Sequence, residues 1–202
     1  MASRTEAFER LYKIAESQQG FFTTKQAKAS GYAENTHPYH VHVSNWAREH
    51  RGIYRLAHFP LTDHPDLAQW SLWSRNRKEE TQGVYSHETA LRLHELSDVN
   101  PTKLHMTVPP TFRRSGRIPG VLVLHYSDIP KSEIQEGQGF RYTRPLRTIL
   151  DVMEENTVEH SFLRQAIRQA LARGLITRSE IQRAEIPQSM RDLVKRALKG
   201  RG

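Results

Sequence analysis

The order of short segments in the first sixty residues limits the folds that this chain can adopt. Residues 4–18 carry apolar side chains at i, i+3, i+4 and i+7, the spacing of an amphipathic helix: Phe8, Leu11, Tyr12 and Ala15. Shorter helices are expected over 25–30 and 34–50, and RGIYRLA at 51–57 predicts a strand or hairpin. Helix, short helix, turn, helix and β segment follow one another in this order in a winged helix-turn-helix, which places one helix in the major groove of DNA.

Residues that start or stop helices support this order. Thr23 or Thr24 can cap the second helix, and Gly31 is placed to end it. Pro38 suits the first turn of the third helix. The same periodicity also occurs in three-helix fragments that do not bind DNA, so the pattern alone leaves a structural role open.

On the winged-helix interpretation, two groups of side chains bind DNA. The first group would face the bases from the start of the third helix: Asn35, Thr36, His37, Tyr39 and His40. The second group would contact phosphates and steer the approach: Lys25, Lys28, Arg48, Arg51 and Arg55. Thr24 and Tyr54 complete the expected DNA-binding set. No Lys or Arg lies between Glu34 and Ala47, so base readout would depend on neutral side chains.

Two motifs in this region resemble a known family. GFFTTKQAKASGY, followed about twenty residues later by RGIYRLA, is similar to the N-terminal winged-helix domain of AbiEi-type antitoxins. The matching residues are Gly20, Phe22, Thr23, Ala27, Gly31, Arg51, Gly52, Tyr54, Arg55 and Leu56. The chain departs from the family in the third helix, where members tend to have more Arg.

The rest of the chain predicts helices around a small sheet. Helices are expected after Pro65, after Ser86 and from Pro145, and strands are expected at 104–108, 121–126 and 140–143. The turn-rich HFPLTDHPD at 58–66 is the candidate boundary. The predicted fold class is therefore α+β: a winged helix-turn-helix over residues 1–60, followed by a mixed domain over 61–202 with a small sheet flanked by helices.

The second region extends the resemblance to about residues 8–155. YSHETALRLHELSDVNP, LHMTVP, GVLVLH and TRPLRTILD are similar, in order and spacing, to the second region of AbiEi-type proteins. The resemblance implies a transcriptional repressor that binds double-stranded DNA at its own promoter. It also implies the antitoxin role of a type IV toxin–antitoxin system, in which a nucleotidyltransferase-like toxin is opposed without a stable complex.

Composition excludes several classes of function. The 202 residues include no Cys, which rules out disulfides, thiolate metal sites and Cys nucleophiles. The net charge of +8 favours an acidic partner, nucleic acid first, and it is spread along the chain without a basic arm. No apolar run has the roughly 18 residues of a membrane span and no signal peptide is evident, so a cytoplasmic protein without a membrane partner is expected.

Four histidines in the second region raise the question of a metal site: His87, His94, His105 and His125. His105 and His125 lie on strands that could be neighbours, and Asp98 or Asp128 could complete a site. Roles in caps, turns and strand surfaces are the favoured interpretation, so neither a metal nor another cofactor is expected. No motif of an enzyme is present, and the chain is not expected to be one.

Two alternatives stay open. A nuclease is one, because similar winged domains can precede endonuclease domains, although no acidic metal motif is evident in the sequence. A non-catalytic interaction module is the other. Basic residues near the C-terminus could touch DNA or could simply be a solvated helix end: Arg191, Lys195, Arg196, Lys199 and Arg201.

Overall fold

The computed structural model describes residues 3–199, which form two compact units. The first unit contains the residues up to Gln82 together with Glu136–Phe140, and the second contains Gly83–Gln135 and the residues from Arg141 onward. Both units combine helices with a small sheet, so the chain is an α+β protein, as the sequence predicts. Arg201 lies outside the described residues.

The first unit is built around a three-stranded antiparallel sheet with the strand order β1-β3-β2. Its elements are α1 (Arg4–Glu16), β1 (Phe21–Thr23), α2 (Thr24–Ser30), α3 (His37–His42), β2 (Trp46–His50), β3 (Ile53–Leu56) and α4 (Pro65–Trp73). The first six elements have the order and sheet pairing of a winged helix-turn-helix. The hairpin of β2 and β3 is called the wing below.

Helices α1 and α2 lie close to where the sequence predicts them. Thr23 caps α2 through a capping box with Gln26, and Gly31 follows α2 at a φ of 112°, a left-handed conformation that glycine adopts without steric penalty. The buried face of α1 is Ala7, Leu11 and Ala15, whereas Phe8 and Tyr12, which were expected on that face, are largely exposed.

The third helix is much shorter than the expected span of 34–50. Residues 34–36 form a 3-10 turn, α3 covers only His37–His42, and Ser44 has a φ of 56° that interrupts the helix. Trp46 then starts a strand because its ring is buried against Phe22, at a centroid distance of 4.9 Å, and its backbone is paired with Leu56. Tertiary packing of one tryptophan therefore overrides the helical pattern, and Arg48 lies in the wing instead of a helix.

The first unit also extends beyond the expected boundary at residue 60. Helix α4 belongs to it and packs against β1 and β3. Leu67, Leu72 and Trp73 are each less than 5% exposed, so this helix supplies part of the core of the first unit. The prolines at 60 and 65 mark a turn between elements of one unit.

The chain has ten further α-helices and strands among its described residues after α4, and all of them lie in the second unit except Glu136–Gly137 of β7 and Phe140 of β8, which belong to the first. The first six are β4 (Val84–Tyr85), α5 (His87–Leu93), β5 (Leu104–Val108), β6 (Leu122–Tyr126), β7 (Ile134–Gly137) and β8 (Phe140–Thr143). The other four are α6 (Pro145–Glu155), α7 (His160–Ala172), α8 (Arg178–Arg183) and α9 (Arg191–Lys199). The strand order is β6-β5-β4-β8-β7, and β6 is parallel to β5.

Three strands of this sheet, β5, β6 and β8, lie where the sequence predicts them. Strand β6 is an edge strand in which only Leu122 is buried, although the apolar run at 121–126 is typical of a strand with both faces covered. Strand β7 is absent from the sequence prediction because its polar residues, IQEG, resemble a loop. Helices α5, α6, α7 and α9 share an apolar core that includes Leu91, Ile149, Leu163, Ile167 and Val194.

No helix within residues 3–199 combines the length and the apolar character that crossing a bilayer requires.

Candidate nucleic-acid interface and histidine cluster

Three of the predicted phosphate contacts are exposed on α2 and the wing. Lys28 lies on α2, and Arg48 and Arg51 lie on the wing, Arg51 at its turn next to Gly52. In proteins of this fold, the wing and the helix that precedes the recognition helix contact the sugar-phosphate backbone. These three residues are therefore the best placed of the predicted phosphate contacts.

The other two predicted phosphate contacts are engaged within the unit. Lys25 pairs with Glu79 at 3.1 Å, although its side chain is 59% exposed. Arg55 donates a hydrogen bond to the carbonyl of Pro60 at 3.0 Å, and its guanidinium lies over the ring of Phe21. Both cations would have to give up internal contacts in order to reach a phosphate.

Several side chains at or near α3 are exposed or half-buried. Asn35 and Tyr39 are exposed, Tyr39 by 57%, and His42, which the sequence did not single out, is exposed on the same helix. Thr36 is half-buried and donates a hydrogen bond to the carbonyl of Ala33 at 2.6 Å. Asn35 and Tyr39 therefore remain available for base contacts.

Two of the predicted DNA-binding residues are in the core, and the prediction for them is corrected. His37 is only 2% exposed, and its ring lies 5.2 Å from that of Trp46 and 5.8 Å from that of Tyr54. Tyr54 is 9% exposed and stacks on Phe22. These aromatic side chains fill the centre of a small domain, where burial of their area stabilises the fold, and they cannot face a base.

The remaining two predicted residues lie between these extremes. His40 is half-buried and stacks on Trp46 at 4.5 Å. Burial, with the nearby charges of Arg4 and His37, lowers the pKa of His40. Thr24 is half-buried at the start of α2, with its hydroxyl 3.5 Å from the carbonyl of Gly52 in the wing. Thr24 therefore links α2 to the wing.

Three histidines of the second unit lie together, although they are far apart in the sequence. Strands β5 and β6 are neighbours, a possibility that the sequence left open, and Nδ1 of His105 lies 3.0 Å from Nε2 of His125. His87, at the start of α5, stacks on His125 with a centroid distance of 3.7 Å. The φ of His87 is 51°, a left-handed conformation that costs a non-glycine residue about 1–2 kcal/mol.

Two glutamates complete this group. Oε2 of Glu88 lies 2.6 Å from Nε2 of His105. The carboxylate of Glu155, in α6, lies 3.0 Å from Nδ1 of His125 and 4.0 Å from Nε2 of His87. We call the five residues His87, Glu88, His105, His125 and Glu155 the histidine cluster.

The acids that the sequence suggested for such a site have other positions. Asp98 accepts a hydrogen bond from the amide of Gln165, and Asp128 is exposed. His94 is also separate, since its Nε2 lies 2.8 Å from the carbonyl of Thr143. The sequence signal that could have identified Glu155 is its place four residues after Asp151, on one face of α6.

Burial determines the protonation of the cluster. It lowers the pKa of His87 to about 3, with the nearby His125 and His105 acting in the same direction. It also lowers the pKa of His125 to about 4, with His105 contributing. Burial alone would raise the pKa of Glu88, but the hydrogen bond and charge of His105 hold it below its ordinary value. His87 and His125 are therefore neutral at pH 7, and Glu88 is ionised.

A cavity of about 310 Å³ opens beside the cluster and is lined by His87, His125, Glu155, Arg147 and Asp151, among others. Asp151 is only 5% exposed, and its Oδ1 accepts a hydrogen bond from Nε of Arg147 at 2.6 Å. Its Oδ2 is buried and has no hydrogen-bond partner among the described residues. Burial raises the pKa of Asp151 to about 6, although Arg147 opposes this shift.

Comparison with known proteins supports the fold alone. Neither the known protein families nor the curated protein sequences include a match to this chain. One solved structure with a similar fold is that of the RV2827C protein from Mycobacterium tuberculosis, with a TM-score of 0.51 and 11% sequence identity. The likeness covers 100% of this chain and 73% of the other.

Proposed function

We propose that this chain is a DNA-binding transcriptional repressor that acts at its own promoter. The observation that carries the proposal is the winged helix-turn-helix with the exposed cations Lys28, Arg48 and Arg51 on α2 and the wing. These cations supply affinity for phosphates that does not depend on base sequence. Asn35 and Tyr39, exposed near α3, are the side chains proposed to read bases.

Two kinds of substitution distinguish side chains that contact phosphates from side chains that contact bases. Replacement of Lys28 or Arg51 by Ala should weaken binding to the upstream DNA and to a shuffled duplex alike. Replacement of Asn35 by Ala should reduce the preference for the upstream DNA and leave binding to the shuffled duplex unchanged. Lys13→Ala is the matched control, because it removes an exposed charge from α1, outside the helix-turn-helix.

The resemblance to AbiEi-type proteins extends the proposal to an antitoxin role. The partner would be a nucleotidyltransferase-like toxin encoded beside this chain, opposed without a stable complex. The test is to express the neighbouring gene alone and together with this chain in a bacterial host. Growth arrest by the neighbour, relieved by this chain without co-purification, supports the role, and arrest that this chain does not relieve contradicts it.

A metal-dependent nuclease is the second candidate, and the histidine cluster is the observation that favours it. Glu155 and Asp151 lie beside His87 and His125 at a cavity, and metal-assisted hydrolysis of phosphodiesters uses such groups. Incubation of the chain with plasmid and Mn²⁺ or Zn²⁺ tests this candidate. Cleavage that Asp151→Asn abolishes would favour the nuclease over the repressor.

A further inference from the structure

Three ligand atoms of the histidine cluster converge on one point. One ring nitrogen of His87, one ring nitrogen of His125 and one carboxylate oxygen of Glu155 all lie within 4.8 Å of one another. Both ring nitrogens face the same carboxylate, at 4.0 Å for His87 and 3.0 Å for His125. Two imidazole nitrogens and one carboxylate oxygen form a donor set that binds first-row transition metals, including Zn²⁺.

The outward nitrogens of both rings already have partners. Nδ1 of His87 lies 2.9 Å from Oγ of Ser86, which is itself 2.7 Å from Oγ1 of Thr107. Nε2 of His125 lies 3.0 Å from His105, whose other nitrogen is 2.6 Å from Glu88. Metal-binding histidines almost always bond their second nitrogen to such a partner, which orients the ring and selects the tautomer. The other nitrogen of each ring faces Glu155 and is therefore the atom that can bind an ion.

The cavity beside the cluster provides an independent indication of a ligand. It opens to solvent and is lined by His87, His125 and Glu155, so an ion has a path to the three ligand atoms. Asp151 lines the same cavity with a buried Oδ2 that has no hydrogen-bond partner among the described residues. A buried carboxylate oxygen without a partner is costly unless something binds it, and a metal-bound water can donate the missing hydrogen bond.

We therefore propose that His87, His125 and Glu155 bind one divalent transition-metal ion of the Zn²⁺ type, with an open coordination position toward the cavity. A tetrahedral ion with bonds of about 2.0–2.1 Å separates its ligand atoms by roughly 3.3 Å. Nδ1 of His125 already lies near this separation from Oε1 of Glu155, whereas Nε2 of His87 lies 4.0 Å from the other carboxylate oxygen, Oε2. Small rotations of these side chains are therefore needed to bring the three donors to the distances of a tetrahedral ion.

The donor set also predicts which ions are excluded. Mg²⁺ and Ca²⁺ prefer sites made of oxygen ligands, whereas two of the three ligands here are imidazoles. Zn²⁺ and Co²⁺ should therefore bind with one ion per chain, and Mg²⁺ should not compete with either. This inference does not depend on DNA binding, so its test is separate from that of the proposed repressor function.

The test is isothermal titration of Zn²⁺ into the full chain, purified without a polyhistidine tag and after treatment with EDTA. We expect one site, with affinity reduced at least about tenfold by Ser86→Ala and further by His125→Asn or Glu155→Gln. His160→Asn and Glu185→Gln are matched controls at exposed positions of the same unit, and they should bind as the parent chain does. Equal affinity for Zn²⁺ in the parent chain and in the His125→Asn and Glu155→Gln variants would overturn the proposal. Absence of one-to-one binding would also overturn it.

A second measurement needs no variant and is therefore independent of any folding defect. X-ray absorption at the zinc edge distinguishes imidazole ligands by their multiple scattering. The site predicts two imidazoles and at least one oxygen ligand for the zinc-loaded chain. A spectrum with fewer than two imidazoles contradicts the proposed ligand set.

Discussion

The proposed repressor function predicts how DNA binding should depend on salt, from the number of exposed cations on the winged helix-turn-helix. Each phosphate that a Lys or Arg neutralises contributes about −0.9 to the slope of log K against log salt concentration. Lys28, Arg48 and Arg51 together predict a slope of about −2.7. A fourfold rise in salt, from about 50 to about 200 mM, should then weaken binding about 40-fold.

Arg51→Ala tests this arithmetic at the turn of the wing. Removing one contact should change the slope to about −1.8, so that the same rise in salt weakens binding only about 12-fold. Fluorescence anisotropy with a labelled duplex of the upstream DNA, at four or more salt concentrations, measures both slopes. Lys13→Ala on α1 carries the same loss of charge and should keep the slope of the parent chain.

Two outcomes would contradict this assignment of phosphate contacts to α2 and the wing. If Arg51→Ala and Lys13→Ala lower the slope equally, the wing has no special role and the charge acts only through the net charge of +8. If neither variant changes the slope, the cations that contact DNA lie elsewhere in the chain.

Three further predictions follow from the contacts described above. Glu79→Gln removes the ion-pair partner of Lys25 and leaves only its hydrogen bond to the carbonyl of Arg77, so it should tighten binding to any duplex and make the slope steeper by up to about 0.9. His37→Ala should lower the free energy of unfolding by about 2–4 kcal/mol in a denaturant titration, whereas His37→Phe should keep both stability and DNA binding. The low pKa values of His87 and His125 mean that the folded state resists protonation. The free energy of unfolding should therefore be unaffected by these two groups above about pH 6.5. Below that pH the unfolded state binds protons that the folded state does not, so the free energy of unfolding should fall by at most about 1.4 kcal/mol per histidine per pH unit as the pH drops toward 4. Urea titrations in EDTA measure this decrease.

Local signals in the sequence account for the parts of the fold that were predicted. The capping box of Thr23 and Gln26 and the left-handed Gly31 depend on residues a few positions apart. The strands at 104–108 and 140–143 follow from local patterns of alternating side chains and flanking turn residues. Such features can be predicted from the sequence because their physical cause lies within the segment itself.

Features that depend on distant partners were not predictable in the same way. The end of α3 is set by burial of Trp46 against Phe22, which is 24 positions earlier in the chain. The same aromatic packing places His37 in the core, although its position in the sequence suits a base contact. A pattern of residue types cannot distinguish an exposed polar side chain from one that neighbouring rings enclose.

The histidine cluster illustrates the same limit for a candidate site. Adjacency of β5 and β6 was considered possible, and it brings His105 to His125. The left-handed φ of His87 and the approach of Glu155 to His125 could not be predicted from the sequence, because both depend on tertiary packing. Asp98 and Asp128 were therefore considered as ligands instead of the two glutamates.

The proposed repressor function requires that the winged helix-turn-helix recognises the DNA upstream of this chain's own gene. It is tested by the affinity for that DNA, compared with a shuffled duplex of equal length and composition at two salt concentrations. We expect tighter binding to the upstream DNA at both concentrations, by about a thousandfold or more. Equal affinity for both duplexes, or no binding to either, would contradict it.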